Sequence, residues 1–200
     1  MLRAAGWIED NGRPSDGFFL NDVGALFDAI DALREAGRTV VLIGVTWALV
    51  DASEAWKASG RAPLTKGVHI AVTGGMKGRR EEWVAERVRR ALQSGFGCTE
   101  VAGEYGMTEL LSQAWSMKEG VYQIPPWMRV RIRRTDDPLS INVSGSTGGV
   151  DVIDLANLSS CAFLSTQDLA RYHAADITGN QSFTLLGRFD RSEVRGCNLL

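Results

Sequence analysis

The sequence predicts an α/β fold. A mostly parallel sheet with flanking helices is expected over residues 1–125, followed by a mainly antiparallel, β-rich part over residues 126–200. Two observations predict this. Up to Pro125-Pro126, short apolar runs alternate with amphipathic segments, the pattern of stacked strand–helix units. Beyond that pair the pattern changes to period-two alternation, as in Met128-Arg129-Val130-Arg131-Ile132-Arg133, with stretches rich in Gly and Ser.

Asn21 is placed to cap a first helix whose Leu26, Ile30 and Leu33 share a face, and Gly37 to end it. Arg38 to Val45 reads as a buried strand, the stretch around Trp47 to Trp56 as a helix, and Val68 to Val72 as a second strand. That strand runs into Thr73-Gly74-Gly75-Met76-Lys77-Gly78, then a helix with Val84, Val88, Ala91 and Leu92 along one side. A third strand near Thr99 to Ala102 leads to Gly103-Glu104-Tyr105-Gly106, with another helix expected from about Thr108. In open α/β sheets the loops at the carboxyl ends of strands line the ligand crevice, so both glycine turns are expected where ligands bind.

The composition, 44% hydrophobic and 23% charged over 200 residues, is that of a globular chain with one substantial core or two small ones. A net charge of −2 gives no polyelectrolyte attraction, so nucleic acid is not an expected partner. No apolar stretch reaches the roughly eighteen residues that span a bilayer, and no signal peptide is legible, so a cytoplasmic chain is expected. Cys98, Cys161 and Cys197 are far apart and lack metal or redox spacing; Cys98 and Cys161, in apparent strands, are expected as small core residues. His69 and His173 read as isolated core or surface residues. Lys77, Arg79, Arg80, Arg87, Arg89 and Arg90, interleaved with Glu81, Glu82 and Glu86, read as a charge-paired helix face; Lys77, directly after the double glycine, is a candidate phosphate contact.

Glu104-Tyr105-Gly106-Met107-Thr108-Glu109 places an aromatic, a glycine, a hydroxyl and a carboxylate where a strand hands over to the next element. Two readings are open. Tyr105 can stack on a base, Thr108 can bond a phosphate oxygen and Glu109 can hold Mg²⁺; or Thr108 caps a helix with an acidic first turn. Tyr-Gly-x-Thr-Glu resembles the nucleotide-site signature of the adenylate-forming superfamily. More specifically, the chain resembles the LuxE-type acyl-protein synthetases, the fatty-acid-activating component of bacterial fatty acid reductase. Carrying the resemblance are Val72 to Lys77, Glu104 to Gln113, Pro125 to Val130, Asp151 to Asn157, Thr166 to Leu169, and Gly187 to Asp190 through Arg195-Gly196-Cys197, in order along the chain.

The resemblance implies ATP and Mg²⁺ as cofactors and a fatty acid as substrate, activated as acyl-AMP and transferred to an enzyme cysteine. Gly74 and Gly75 would border the adenine pocket, with Tyr105, Gly106, Thr108 and Glu109 in the nucleotide loop and Glu109 on the metal. Asp168 and Arg188 would hold the ribose hydroxyls, although Asp168 alone also reads as a turn residue or cap. Cys197 matches the acylated cysteine of that family; thiolate is the reactive form, which the neighbouring Arg195 would favour. An acyl reductase or acyltransferase is the implied protein partner.

Superfamily members also carry a Ser/Thr/Gly-rich phosphate loop well before the Tyr-Gly-x-Thr-Glu element. Ser144 to Gly149 has that composition but comes after the element, between two β-like stretches, and reads as a hairpin turn. The resemblance begins near Gly17 and breaks off ten residues after Asp190, so a fragment, or a chain completed by a partner, is expected, with Met1 a possible false start. The alternative function is a non-catalytic nucleotide- or acyl-binding scaffold in lipid or polysaccharide modification.

Overall fold

The structure is a computed structural model that describes residues 17–19, 22–76, 83–117, 120–142, 145–173 and 181–189. Among the described residues, three helices, α1 (Val23–Glu35), α2 (Thr46–Ala58) and α3 (Ala85–Phe96), accompany nine strands. The strands are β1 (Val40–Val45), β2 (Val68–Thr73), β3 (Val101–Tyr105), β4 (Ala114–Ser116), β5 (Val121–Gln123), β6 (Met128–Arg133), β7 (Thr147–Asp154), β8 (Phe163–His173) and β9 (Ser182–Arg188). They form one sheet in the order β1-β2-β3-β4-β5-β9-β8-β7-β6. The first two pairings are parallel and the remainder antiparallel, so the expected α/β class holds, with the antiparallel part starting at β4, before Pro125.

Alternation in the parallel strands sets one core. Val40, Leu42, Val68, Ile70 and Val101 point the same way and pack with Phe27, Ile30, Leu49, Trp56, Leu92 and Phe96 of the helices. Trp56 is 1% exposed, meets Phe27 edge-on at 4.9 Å and donates its indole N–H to the Ala62 carbonyl at 3.1 Å. Helices α2 and α3 approach closely at Gly95, where an added Cβ would lie 2.5 Å from the Ser53 Oγ.

A second core joins the carboxyl end of β3 to the antiparallel part: Tyr105, Leu110, Ala114, Met128, Val130, Ile132, Val150, Val152 and Phe183 are buried together. Of the Ser144–Gly149 stretch expected as a hairpin turn, Gly145, at φ 86°, lies in the connection from β6 to β7, whereas Thr147 to Gly149 already run within β7. Glu86 pairs with Arg89 and Arg90 at 2.7 and 2.9 Å along the α3 surface. No helix among the described residues is long and apolar enough to cross a membrane.

Several expectations are corrected. Asp22, not Asn21, caps α1, its Oδ1 accepting the Ala25 N–H at 2.8 Å; Asn21 lies outside the described residues. Val84 is 72% exposed because it sits at the extended N-cap of α3, before the helical face begins. Cys98 is buried but follows α3 instead of lying in a strand, and Cys161 is exposed in the β7–β8 connection.

No helix starts at Thr108. Thr108 and Glu109 form a turn, and the chain reverses into β4 alongside β3. The physical reason lies in β7. Its Asp154 takes the backbone N–H groups of Leu111 and Ser112 at 3.0 and 2.8 Å, so a tertiary partner satisfies these donors without a helix. The helix-cap reading of Thr108 fails with it.

Candidate functional site

The carboxyl ends of β1, β2 and β3 meet in register, with Val45 beside Thr73 and Thr73 beside Glu104. Side chains lace these ends together. Thr46, buried just after β1, donates its hydroxyl to the Gly74 carbonyl at 2.6 Å, and Thr73 donates to the Glu104 carboxylate. Gly74 has φ 63°, a conformation that glycine reaches without strain, and Gly75 continues the turn. Gly106 leaves room for a side chain: a Cβ there would lie 2.1 Å from Glu104 Oε1 and would displace that carboxylate. Both glycine turns thus stand at one end of the parallel sheet, bridged by Thr73 and Glu104.

Tyr105 is the last residue of β3 and is only 5% exposed. Its ring lies edge-on to Phe183 at 5.2 Å and to Tyr122 at 6.1 Å, and its hydroxyl donates to Asp168 Oδ2 at 2.9 Å. Burial, and then the Asp168 charge, push the phenol far above its usual titration range, so the hydroxyl remains a donor. Asp168 of β8 stands opposite Arg188 of β9, with Arg188 Nε 3.5 Å from Asp168 Oδ1. Residues 63 and 20 positions apart therefore form one polar cluster directly beneath the loop containing Gly106.

Thr108 and Glu109 come next, with exposed side chains. Their loop is held from below by residues with no role in the sequence reading. Asp154, fully buried, accepts Leu111 N–H and Ser112 N–H on Oδ2, and the Ser112 hydroxyl at 2.6 Å and Ala156 N–H at 3.0 Å on Oδ1. Ser112 Oγ in turn accepts the Trp127 indole N–H at 2.8 Å, and Asn157 donates to the Glu109 carbonyl at 2.8 Å. Burial alone would raise the Asp154 pKa; the hydrogen bonds from Ser112, Ala156 and Leu111 outweigh it and hold the carboxyl below its ordinary value. One signal for Asp154 was available in the sequence: it shares the parity of Val150 and Val152, an acid at a core-facing strand position.

Beside this anchor lies an open groove of about 470 Å³ walled by Leu111, Gln113, Trp115, Pro125, Trp127 and Ala156. Trp127 is 53% exposed, yet its orientation is set by the bond to Ser112.

Cys197 and Lys77 lie outside the described residues. Among the described residues no cluster of three or more His, Cys, Asp or Glu side chains could hold a metal unaided. Mg²⁺ does not demand one, because one or two carboxylates plus substrate phosphates complete its shell, and an exposed Glu109 at the loop tip fits that use. The glycine turns, with backbone free of Cβ atoms, and the Asp168 carboxylate likewise fit a nucleotide.

No protein-family model matches the chain, and no curated protein matches it in sequence. Solved structures do match. A 2-hydroxyisobutyryl-CoA ligase in complex with 2-HIB-AMP and CoA aligns over 94% of this chain and 40% of its own, at 13% identity and a TM-score of 0.67. Coronafacic acid ligase from Pectobacterium brasiliense aligns over 82% and 32%, at 16% identity and a TM-score of 0.54. MatB from Rhodopseudomonas palustris aligns over 80% and 33%, at 18% identity and a TM-score of 0.50. The fold is that of part of these ligases. The chain spans between 32% and 40% of their lengths.

Proposed function

We propose that this chain is part of an adenylate-forming ligase of the acyl-protein synthetase type, activating a fatty acid with ATP and passing the acyl group to a cysteine. The observation that carries the reading is the Tyr105–Asp168–Arg188 cluster beside the Gly74 and Gly106 turns. A carboxylate can accept both hydroxyls of a ribose at once, and here Tyr105 fixes one of its oxygens while Arg188 faces the other. Tyr105 acts through its hydroxyl, since its ring is enclosed by the core.

Gly74 and Gly75 border the base, Thr108 bonds a phosphate oxygen, and Glu109 is the carboxylate for Mg²⁺, which when bound neutralises charge on the phosphates. In the first half-reaction a carboxylate oxygen of the acid attacks the α-phosphorus and pyrophosphate leaves. In the second a thiolate, assigned to Cys197, attacks the acyl carbonyl and AMP leaves. The groove walled by Trp115 and Trp127, next to the loop, suits an apolar chain, which supports a fatty acid as substrate. The likeness to acyl-CoA and related ligases supports the chemistry at the level of fold.

The second reading is a nucleotide-binding scaffold without turnover. One experiment separates the two. The chain is incubated with ATP, Mg²⁺ and labelled long-chain fatty acid, and pyrophosphate exchange and label on protein are measured. Exchange together with label that disappears in Cys197→Ser supports the synthetase. AMP binding without exchange supports the scaffold, and absence of both defeats the nucleotide site itself.

A further inference from the structure

Arg133 ends β6 with its guanidinium buried, the residue being 8% exposed, an unusual position for a charge outside the proposed site. Everything around it is arranged to admit it. Its Nη1 donates to the Val150 carbonyl at 3.0 Å and to Asp151 Oδ1 at 2.7 Å, and its Nη2 donates to the Thr166 carbonyl at 2.6 Å. Gly149, its partner across the β6–β7 ladder, leaves the room: a Cβ there would lie 2.5 Å from the Arg133 Cζ. Phe189 covers the guanidinium with its ring centroid 5.5 Å away.

The place is a break in the sheet. The β7–β8 register slips between Gly149 and Asp151, and the β8–β9 register slips between Leu169 and Ala170. Bulges of this kind leave backbone groups outside the ladder and re-aim nearby side chains. Here the Val150 carbonyl accepts from two side chains, Arg133 and the Thr166 hydroxyl, the latter at 3.0 Å. Thr166 Oγ1 also accepts the Asp168 N–H at 3.1 Å, and Phe189 N–H binds the Gln167 carbonyl at 2.9 Å. The residues on which Arg133 acts, Thr166 and Phe189, therefore flank Asp168 on one strand and Arg188 on the other.

We propose that Arg133 is a positioning residue for the nucleotide site: it holds the β7–β8 bulge in the geometry that aims Asp168 at the ribose hydroxyls. The assignment rests on the proposed role of Asp168 and deepens it. A lysine cannot replace this arginine, because one ammonium cannot reach the Val150, Asp151 and Thr166 acceptors in the fork that the planar guanidinium provides.

The test is ribose selectivity, measured as the ratio of affinities for AMP and 2′,3′-dideoxy-AMP by isothermal titration calorimetry. The unmodified chain is expected to prefer AMP by about tenfold or more, the worth of one charge-assisted hydrogen bond, and Asp168→Ala to lose that preference. Arg133→Lys should reduce the ratio toward that of Asp168→Ala, whereas Arg131→Met, an exposed arginine on the same strand, should leave it unchanged. A merely structural role would lower the melting temperature of Arg133→Lys without moving the ratio. Should Arg133→Lys fail to fold, Thr166→Val carries the test, since it nearly keeps the side-chain shape and deletes the hydroxyl that joins the Val150 carbonyl of the bulge to the Asp168 N–H. Full selectivity in Arg133→Lys, or in Thr166→Val where that variant carries the test, overturns the assignment of Arg133 while leaving the nucleotide site standing. Equal affinity of the unmodified chain for both nucleotides overturns the Asp168 reading, and this assignment with it.

Discussion

Replacing Asp154 by asparagine changes one atom in the anchor beneath the Gly106–Gln113 loop. In one amide orientation the new NH₂ faces the N–H groups of Leu111 and Ser112, orphaning one part-buried and one buried donor. In the other it faces the Ser112 hydroxyl and Ala156 N–H; the hydroxyl can turn, although it already accepts from Trp127, and Ala156 N–H is left unpaired. The better orientation thus orphans one part-buried donor, costing about 1–3 kcal/mol, and weakens the two remaining backbone bonds from charge-assisted to neutral, roughly 1 kcal/mol each. A loss of about 3–5 kcal/mol is expected, which for a chain of this size lowers Tm by roughly 6–20 °C. Urea unfolding monitored by circular dichroism measures the loss directly. The acid limb adds an independent check. The folded carboxyl titrates below its unfolded value of about 3.9, so its contribution is complete above about pH 5 and is lost as pH falls through the folded pKa. The stability of Asp154→Asn should fall less steeply across that window. A loss below about 1 kcal/mol at neutral pH, with an unchanged acid limb, would refute the anchoring role.

Two further substitutions probe neighbouring features. Gly95→Ala sets a methyl 2.5–2.8 Å from the Oγ, Cβ and carbonyl carbon of Ser53; α2 and α3 must separate, at about 1–3 kcal/mol, and thermal denaturation should show a Tm lower by several degrees, not an unchanged or higher one. Gly106→Ala meets the flexible end of Glu104 and, at 3.4 Å, the Gln113 Cγ, so stability should change by less than about 1 kcal/mol while Glu104 swings off Thr73. AMP affinity should then fall about tenfold, the worth of about 1.4 kcal/mol, and an unchanged affinity removes the Glu104–Gly106 turn from the site.

Periodicity was sufficient for the elements whose contacts are local. The faces of α1 and α3 and the apolar runs of β1 and β2 are visible because each side chain's burial is set by its position on a helix or strand. Elements decided by distant partners were not visible. The stretch after Thr108 has a helix-like beginning, yet Asp154, more than forty residues on, claims its backbone donors. Cys161 lies among residues that resemble a strand but falls in a connection, where it is exposed. The cluster of Tyr105, Asp168 and Arg188 has no local signature. It was reached by resemblance of motifs, and the register of β8 against β9 is what brings its charged members together. Arg133 was hidden by its surroundings: Arg129 and Arg131 on the same strand are exposed, and only the bulge opposite Gly149 separates it from them.

The claim on which the rest depends is that the carboxyl end of β3 and the β8–β9 ladder hold an adenylate. Calorimetric titration with a non-hydrolysable acyl-adenylate analogue, an acyl-sulfamoyl adenosine, tests it most directly. One-to-one binding is predicted, weakened about ten- to a hundredfold in Asp168→Ala, since a hydrogen bond to a charged group contributes about 1.5–3 kcal/mol. No binding by the unmodified chain, or equal affinity within a factor of about two in Asp168→Ala, would contradict it.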